Sequence, residues 1–184
     1  MKTSALVIAV LLAGTTAQSS LLAQSATEAP APLREPDVIF VPTPHEVVDA
    51  MLALAEVRDG DVLYDLGSGD GRIPIAAAQK YDVKAVGIDI DPQRIAEANA
   101  TARAAGVTSE VTFRNEDLFQ ADFSDATVIT LYLLPTLNEK LMPTLKQLKP
   151  GTRIVSHSFR MGDWEPEKEQ DVNGRRIYRW TVPG

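Results

Sequence analysis

The sequence predicts an α/β domain whose sheet is mostly parallel and closes in a C-terminal antiparallel hairpin. Three observations carry this. From residue 45 onward the apolar period switches repeatedly between 3.6 and two, as in a chain that alternates helices with strands. A glycine-rich stretch, YDLGSGDGR at residues 64–72, follows the first strand directly. Near the C-terminus, Asn173-Gly174 separates two alternating segments, the strongest short signal for a two-residue hairpin.

The elements follow in order. Residues 45–56 (HEVVDAMLALAE) place Val47, Val48, Met51, Leu52 and Leu54/Ala55 on one helical face, with Pro44 in the first turn and Thr43 as the expected cap. A strand at 61–66 leads into a helix at 72–80. The next pair is a strand at 83–89 and a helix at 92–105, the latter with Pro92 in its first turn, Asp91 as N-cap and Gly106 just beyond its end. Strand 110–115 alternates. Residues 126–133 (ATVITLYL) are apolar throughout, as suits a strand covered on both faces. Between these two strands, LFQADFSD has room for no more than one helical turn. A helix is expected over 135–148, kinked or split at Pro143. Strand 152–157, an aromatic loop (SFRMGDWEP), and strands 167–172 and 175–182 complete the chain. Five βα-type strands with right-handed crossovers, then a hairpin, is the architecture expected.

The 184 residues are 45% hydrophobic and 23% charged, enough for one domain with one core. Three segments are expected: 1–26, 27–39 and 40–184. In the first, Lys2 precedes the apolar run Ala5 to Ala13 and small polar residues follow, with no acid, the layout of a secretory signal peptide cleaved after Ala17 or Ala26. That run is shorter than the roughly 20 residues a spanning helix needs, so export to the periplasm or envelope is expected rather than a permanent membrane span. Residues 27–39 are proline-rich and are expected to form an extended linker. The chain has no cysteine, which excludes disulfides, thiolate metal sites and thiol catalysis. Its two histidines, His45 and His157, lie far apart without paired carboxylates, so no metal site is expected. A net charge of −7 argues against nucleic acid as a partner.

The glycine loop lies where a first parallel strand hands over to its helix, at the sheet edge where open α/β folds bind ligands. Gly67, Gly69 and Gly71 stand at every second position with Ser68 between the first two. The spacing is not the G-x-G-x-x-G of dinucleotide sites, and no Lys-Ser/Thr pair grips a phosphate. Asp65 and Asp70 would repel a pyrophosphate but suit an ammonium group or hydroxyls. Asp89, in GIDID with Ile90 beside it, ends the second strand where a carboxylate can accept both hydroxyls of a ribose. Asp117 and the backbone of Leu118 end the third strand near the place of a base, although Asp117 could equally cap the short turn after it. Tyr132, at the fourth strand tip, either faces the place where a second substrate would enter or packs in the core. His157 either touches that substrate or is structural, and Arg72 faces solvent or pairs with a nearby acid. Trp164 and Trp180 read as packing residues. No G-x-S-x-G elbow is present, which removes a hydrolase reading.

D-x-G-x-G-x-G after the first strand, an acid ending the second and N-x-D after the third resemble the class I S-adenosylmethionine-dependent methyltransferases, whose sheet is Rossmann-like. The resemblance covers residues 61 to about 160. It implies S-adenosyl-L-methionine as cofactor, with Asp65, Gly67, Gly69 and Gly71 around its amino-acid part, Asp89 on the ribose and Asp117 facing the adenine amino group. FVPTP (40–44), DLGSGDGR, LYLLP (131–135), L-x-P-G-T-R-I-V-S (148–156) and MGDW (161–164) are similar, more narrowly, to the lysine methyltransferases of ATP synthase subunit c and the adenine nucleotide translocase and to their bacterial relatives. This likeness implies N-methylation of a protein lysine and a segment Val41 to Thr43 that closes over the cofactor. Two other readings are a non-catalytic S-adenosylmethionine-binding module, which the export signal would favour, and a small-molecule methyltransferase.

Overall fold

Every strand from Val62 to His157 runs the same way in the computed structural model, which describes residues 33–184. The leader read in residues 1–26 lies outside the described residues. The elements are α1 (His45–Leu54), β1 (Val62–Leu66), α2 (Arg72–Tyr81), β2 (Lys84–Asp89), α3 (Pro92–Ala105), β3 (Val111–Asn115), β4 (Val128–Leu131), α4 (Pro135–Leu145), β5 (Arg153–His157), β6 (Lys168–Val172) and β7 (Arg175–Thr181). The seven strands lie in the order β3-β2-β1-β4-β5-β7-β6. Strands β5, β7 and β6 pair antiparallel, so the expected C-terminal hairpin is present, with Asn173 and Gly174 both at positive φ in its turn. The order reverses between β1 and β4, and the carboxyl ends of those strands open the crevice described below.

Alternation along the strands divides the core in two. Leu63, Val128 and Val155 face α1 and α2, meeting Val47, Val48, Met51 and Leu52 of α1. Tyr64, Leu66, Ile129, Leu131 and Ile154 face the other way, against Leu141 and Leu145 of α4 and Trp180. This is why β4 reads as a continuous apolar run: all four of its residues are buried, on alternate faces. The second face has no helix between β3 and β4. Phe123 and Ala126, from the loop that joins them, fill that place instead. Strand β6 closes the sheet as an edge of exposed, mostly charged residues, KEQDV, which disfavours pairing with another sheet.

Two local expectations are corrected. Pro143 does not divide α4, because it falls in the last turn and the helix ends two residues later at Leu145. Thr43 does not cap α1: Pro44 holds the N-cap position without a side-chain bond, and the Thr43 hydroxyl is turned to His157. Asp91 does cap α3, accepting from the Gln93 N–H at 2.8 Å.

Candidate active site

The walls of the crevice come from four strand tips. From β1, Asp65 enters it almost fully buried, with Oδ1 accepting from the Thr130 hydroxyl of β4 at 2.7 Å. Burial pushes the Asp65 carboxyl up to about 8. The Thr130 hydrogen bond opposes this, and the nearby Asp89 and Asp70 reinforce it. An acid so placed gains most from a cationic ligand.

The loop after β1 is tied back to β2 by the N–H groups of Gly67 and Ser68, both donating to the Ile88 carbonyl. Its glycines divide by role. Gly67 lies on the crevice wall at φ +84, where a Cβ would come within 2.8 Å of Leu133. Gly69 and Gly71, both read from the motif as cofactor contacts, do not line the crevice. The Gly69 N–H donates to Asp89 at 2.8 Å, and the Phe40 ring covers its Cα, 2.2 Å from where a Cβ would stand. At Gly71, φ is +79 and a Cβ would meet the Phe113 ring at 2.4 Å and Ala98 at 2.9 Å. Gly71 thus lets α2 start against β3 and α3, a packing role.

Asp89 accepts from Gly69 N–H at Oδ2 and from Asp91 N–H at Oδ1, at 2.8 and 2.9 Å. Burial raises its pKa and these two N–H groups offset the rise. With its inner lone pairs committed, the carboxylate presents the rest to the crevice, as acceptance from two vicinal hydroxyls requires. Asn115, ending β3, donates to the carbonyls of Asp89 and Ile90 and so links the two strand tips. Ile90, Asp117 and Leu118 line the adjoining wall.

Asp117 takes one role its position suggested, the cap of its turn, and one that it did not. It caps its turn by accepting from the Phe119 N–H at 3.0 Å, and its carboxylate accepts from the Arg34 guanidinium at 2.8 and 3.3 Å. Arg34 holds the carboxyl below its usual range. Arg34 stands in the stretch read as a linker, and residues 34–41 in fact run along the crevice: Arg34, Pro36, Asp37, Val38, Ile39, Phe40 and Val41 all line it. Nothing in a proline-rich stretch flags such an arginine. Phe40, on Gly69 and under the Arg94 guanidinium at 5.0 Å, was visible only as part of FVPTP.

On the acceptor side, Tyr132 lines the crevice beside Leu133 and Leu137, with the exposed Leu134 next to them. The Tyr132 ring lies against that of His157, with centroids 3.9 Å apart. His157 itself is buried and lies off the crevice wall. Arg72 pairs with Asp70 at 2.5 Å rather than facing solvent. Among the described residues no group of three or more His, Asp or Glu side chains could hold a metal ion.

The residues fit S-adenosylmethionine on observations of this chain alone. A buried acid of raised pKa awaits a cation, a second carboxylate is oriented for hydroxyls, and the Ser68 hydroxyl, buried on the crevice wall, has no partner among the described residues. Fold and site together define a class I S-adenosylmethionine-dependent methyltransferase.

The model of the ANTKMT methyltransferase domain matches residues 65–168, and the chain belongs to that family. It is 49% identical over 153 residues to a protein-lysine N-methyltransferase of Saccharolobus islandicus, covering 80% of this chain and 95% of that protein. It is 31% identical over 138 residues to the adenine nucleotide translocase lysine N-methyltransferase of Mus musculus, covering 74% of this chain but only 60% of the mouse protein. Among solved structures, an RNA methyltransferase from Salinibacter ruber in complex with S-adenosyl-L-homocysteine superposes with a TM-score of 0.77 at 57% identity, over 78% of this chain and 94% of that one.

Proposed function

We propose that the chain transfers a methyl group from S-adenosylmethionine to the side-chain amine of a lysine in a protein. The observation that carries this reading is the similarity to the archaeal protein-lysine methyltransferase along nearly that protein's whole length. The site supports it. The cofactor supplies a methyl group on a positively charged sulfur, already a strong electrophile, so the protein's task is to hold and align. Asp65 takes the ammonium and Asp89 the ribose hydroxyls. A lysine arrives as ammonium, with an ordinary pKa near ~10.4, and attacks only after losing a proton. Apolar surroundings lower that pKa, and Val41, Leu133 and Tyr132 on the crevice wall provide them.

An RNA acceptor is the competing reading, suggested by the Salinibacter neighbour. Electrostatics disfavour it. All three arginines on the crevice wall are committed to carboxylates: Arg34 to Asp117 and Asp37, Arg72 to Asp70, and Arg94 to Asp91 and Glu97. With a net charge of −7 the chain offers phosphates little to bind. Incubation of the protein with methyl-labelled cofactor, in parallel with protein extracts and with RNA, decides between them. Mass spectrometry is expected to find label on lysine Nζ. Label on RNA, or on protein at sites other than lysine, overturns the proposal.

For location, we propose export to the cell envelope, supported by the leader pattern of residues 1–26. N-terminal sequencing of the protein recovered from the envelope fraction should start after Ala17 or Ala26. An intact Met1 on protein found only in the cytoplasmic fraction overturns this.

A further inference from the structure

A histidine buried in a core needs a reason, since phenylalanine would fill the space without burying two ring nitrogens. His157 ends β5 at 1% exposure. Burial, with the positive charge of Arg175 adding to it, pushes its pKa down to about 4, so the ring is neutral at ordinary pH. Nδ1 lies 3.2 Å from the Thr43 hydroxyl, and Nε2 has no partner among the described residues. A neutral imidazole carries one N–H. Buried donors without acceptors are rarer than buried acceptors without donors. The proton therefore belongs on Nδ1, where it is donated to Thr43 Oγ1, and the unpartnered Nε2 is a lone pair.

That tautomer has a consequence for Thr43. The Oγ1 lone pair receives the His157 proton, so the hydroxyl keeps its own hydrogen to donate elsewhere. The Thr43 carbonyl is already occupied, accepting from Arg72 Nη1 at 2.9 Å, and Arg72 is in turn locked to Asp70 of the glycine loop. Thr43 lines the crevice, and no other side-chain partner is found for its hydroxyl among the described residues. The Tyr132 ring, 3.9 Å away and tilted by 35°, holds the imidazole in this orientation.

We infer that His157 is a positioning residue: by donating from Nδ1 it turns the Thr43 hydroxyl into a donor aimed into the crevice, toward the carboxylate of the cofactor's amino-acid end. The need for such a donor is evident from the wall itself. Asp65, which receives the ammonium, repels the neighbouring carboxylate, and the arginines nearby are spoken for. The inference rests on the cofactor assignment and is independent of the lysine acceptor.

Two measurements on the full chain test it without turnover. In ¹⁵N NMR of the two histidines, with His157 assigned by comparison with a His157→Phe variant, the Nδ1-protonated tautomer is expected, and an Nε2–H tautomer overturns the inference. In calorimetric titration with S-adenosylhomocysteine, His157→Phe and Thr43→Val are each expected to weaken binding about ten- to a hundredfold, the worth of one hydrogen bond to a charged group. The double variant should be no weaker than the worse single one. His157→Asn, whose amide nitrogen can stand near the place of Nδ1, should recover most of the affinity. Thermal unfolding of each variant, read alongside, separates packing from positioning. If His157→Phe lowers the melting temperature but binds the ligand as the wild type does, the histidine only packs. Loss of binding by every variant, His157→Asn included, likewise refutes the hydrogen-bond account.

Discussion

Asp65→Asn is expected to cost the protein its cofactor and yet make the ligand-free chain more stable. The substitution is nearly isosteric, and the amide oxygen can still accept from the Thr130 hydroxyl, so the local structure is retained. What it removes is a carboxylate that burial holds well above its ordinary pKa, at about 8. Without ligand that carboxylate is a liability, because the folded state must either keep it protonated or hold a charge away from water. With ligand it is the counter-charge to an ammonium. Removing one partner of a buried charge pair costs about 3–5 kcal/mol, so binding of S-adenosylhomocysteine in a calorimeter should weaken by roughly 100-fold or more. Thermal unfolding of the ligand-free variant at pH 8 should shift upward. A variant that binds within threefold of the wild type, or that unfolds at a lower temperature at pH 8, would refute this account of Asp65.

The same group sets a pH dependence whose sign can be worked out. A carboxyl near pKa ~3.9 in the unfolded chain and about 8 in the fold keeps its proton longer when folded. Stability from this source is complete below about pH 4, falls as pH rises through the folded value, and is constant above it. Ligand affinity moves oppositely. Below about pH 8 the site must release a proton to offer a carboxylate, so affinity should rise up to tenfold per pH unit and then level off. Both slopes should vanish in Asp65→Asn.

Much of the sheet was legible because each element is written in local chemistry: Asp91 and Pro92 open α3, Gly106 closes it, and Asn173-Gly174 turns the last hairpin. The strand-tip acids were legible for a related reason, since a carboxylate at the carboxyl end of a parallel strand falls in the same place in any such sheet. What the sequence left hidden is contact across long separations. Arg34 meets Asp117 and Thr43 meets His157 through the path of the segment 34–43, which periodicity cannot trace. Thr43 was misread as a helix cap because local pattern offers a threonine before a proline no other partner. Three alternate glycines look alike in sequence. Only packing shows that Phe113 and Ala98 require the third.

The largest stability effect is expected at a second aspartate, at the other end of the strand that carries Asp65. Asp61, just ahead of β1, accepts from the Arg58 N–H at 2.9 Å, from the Thr127 hydroxyl at 2.7 Å and from Arg153 Nη2. Arg153 also donates through Nη1 to the carbonyls of Ala55 and Glu56, so the pair fastens the end of α1 to β1 and β5. Both side chains are buried. Burial alone would raise the Asp61 pKa, but the three donors together hold it below its ordinary value. Its contribution is therefore present at neutral pH and lost as pH falls through the folded pKa, the mirror image of Asp65. Asp61→Asn turns an N–H toward one of three donors and leaves the guanidinium without its counter-charge. A loss of about 3–5 kcal/mol in urea unfolding at pH 7 is expected, shrinking in acid. Four steps along the extended chain separate Asp61 from Asp65, roughly 13 Å, beyond the range of ordinary coupling. The folded fraction of Asp61→Asn should accordingly bind S-adenosylhomocysteine within about twofold of the wild type, and the two substitutions should add in the double variant to within ~0.5 kcal/mol. Unchanged unfolding at pH 7, or an affinity that falls with stability, would show that the two ends of β1 are not separate devices.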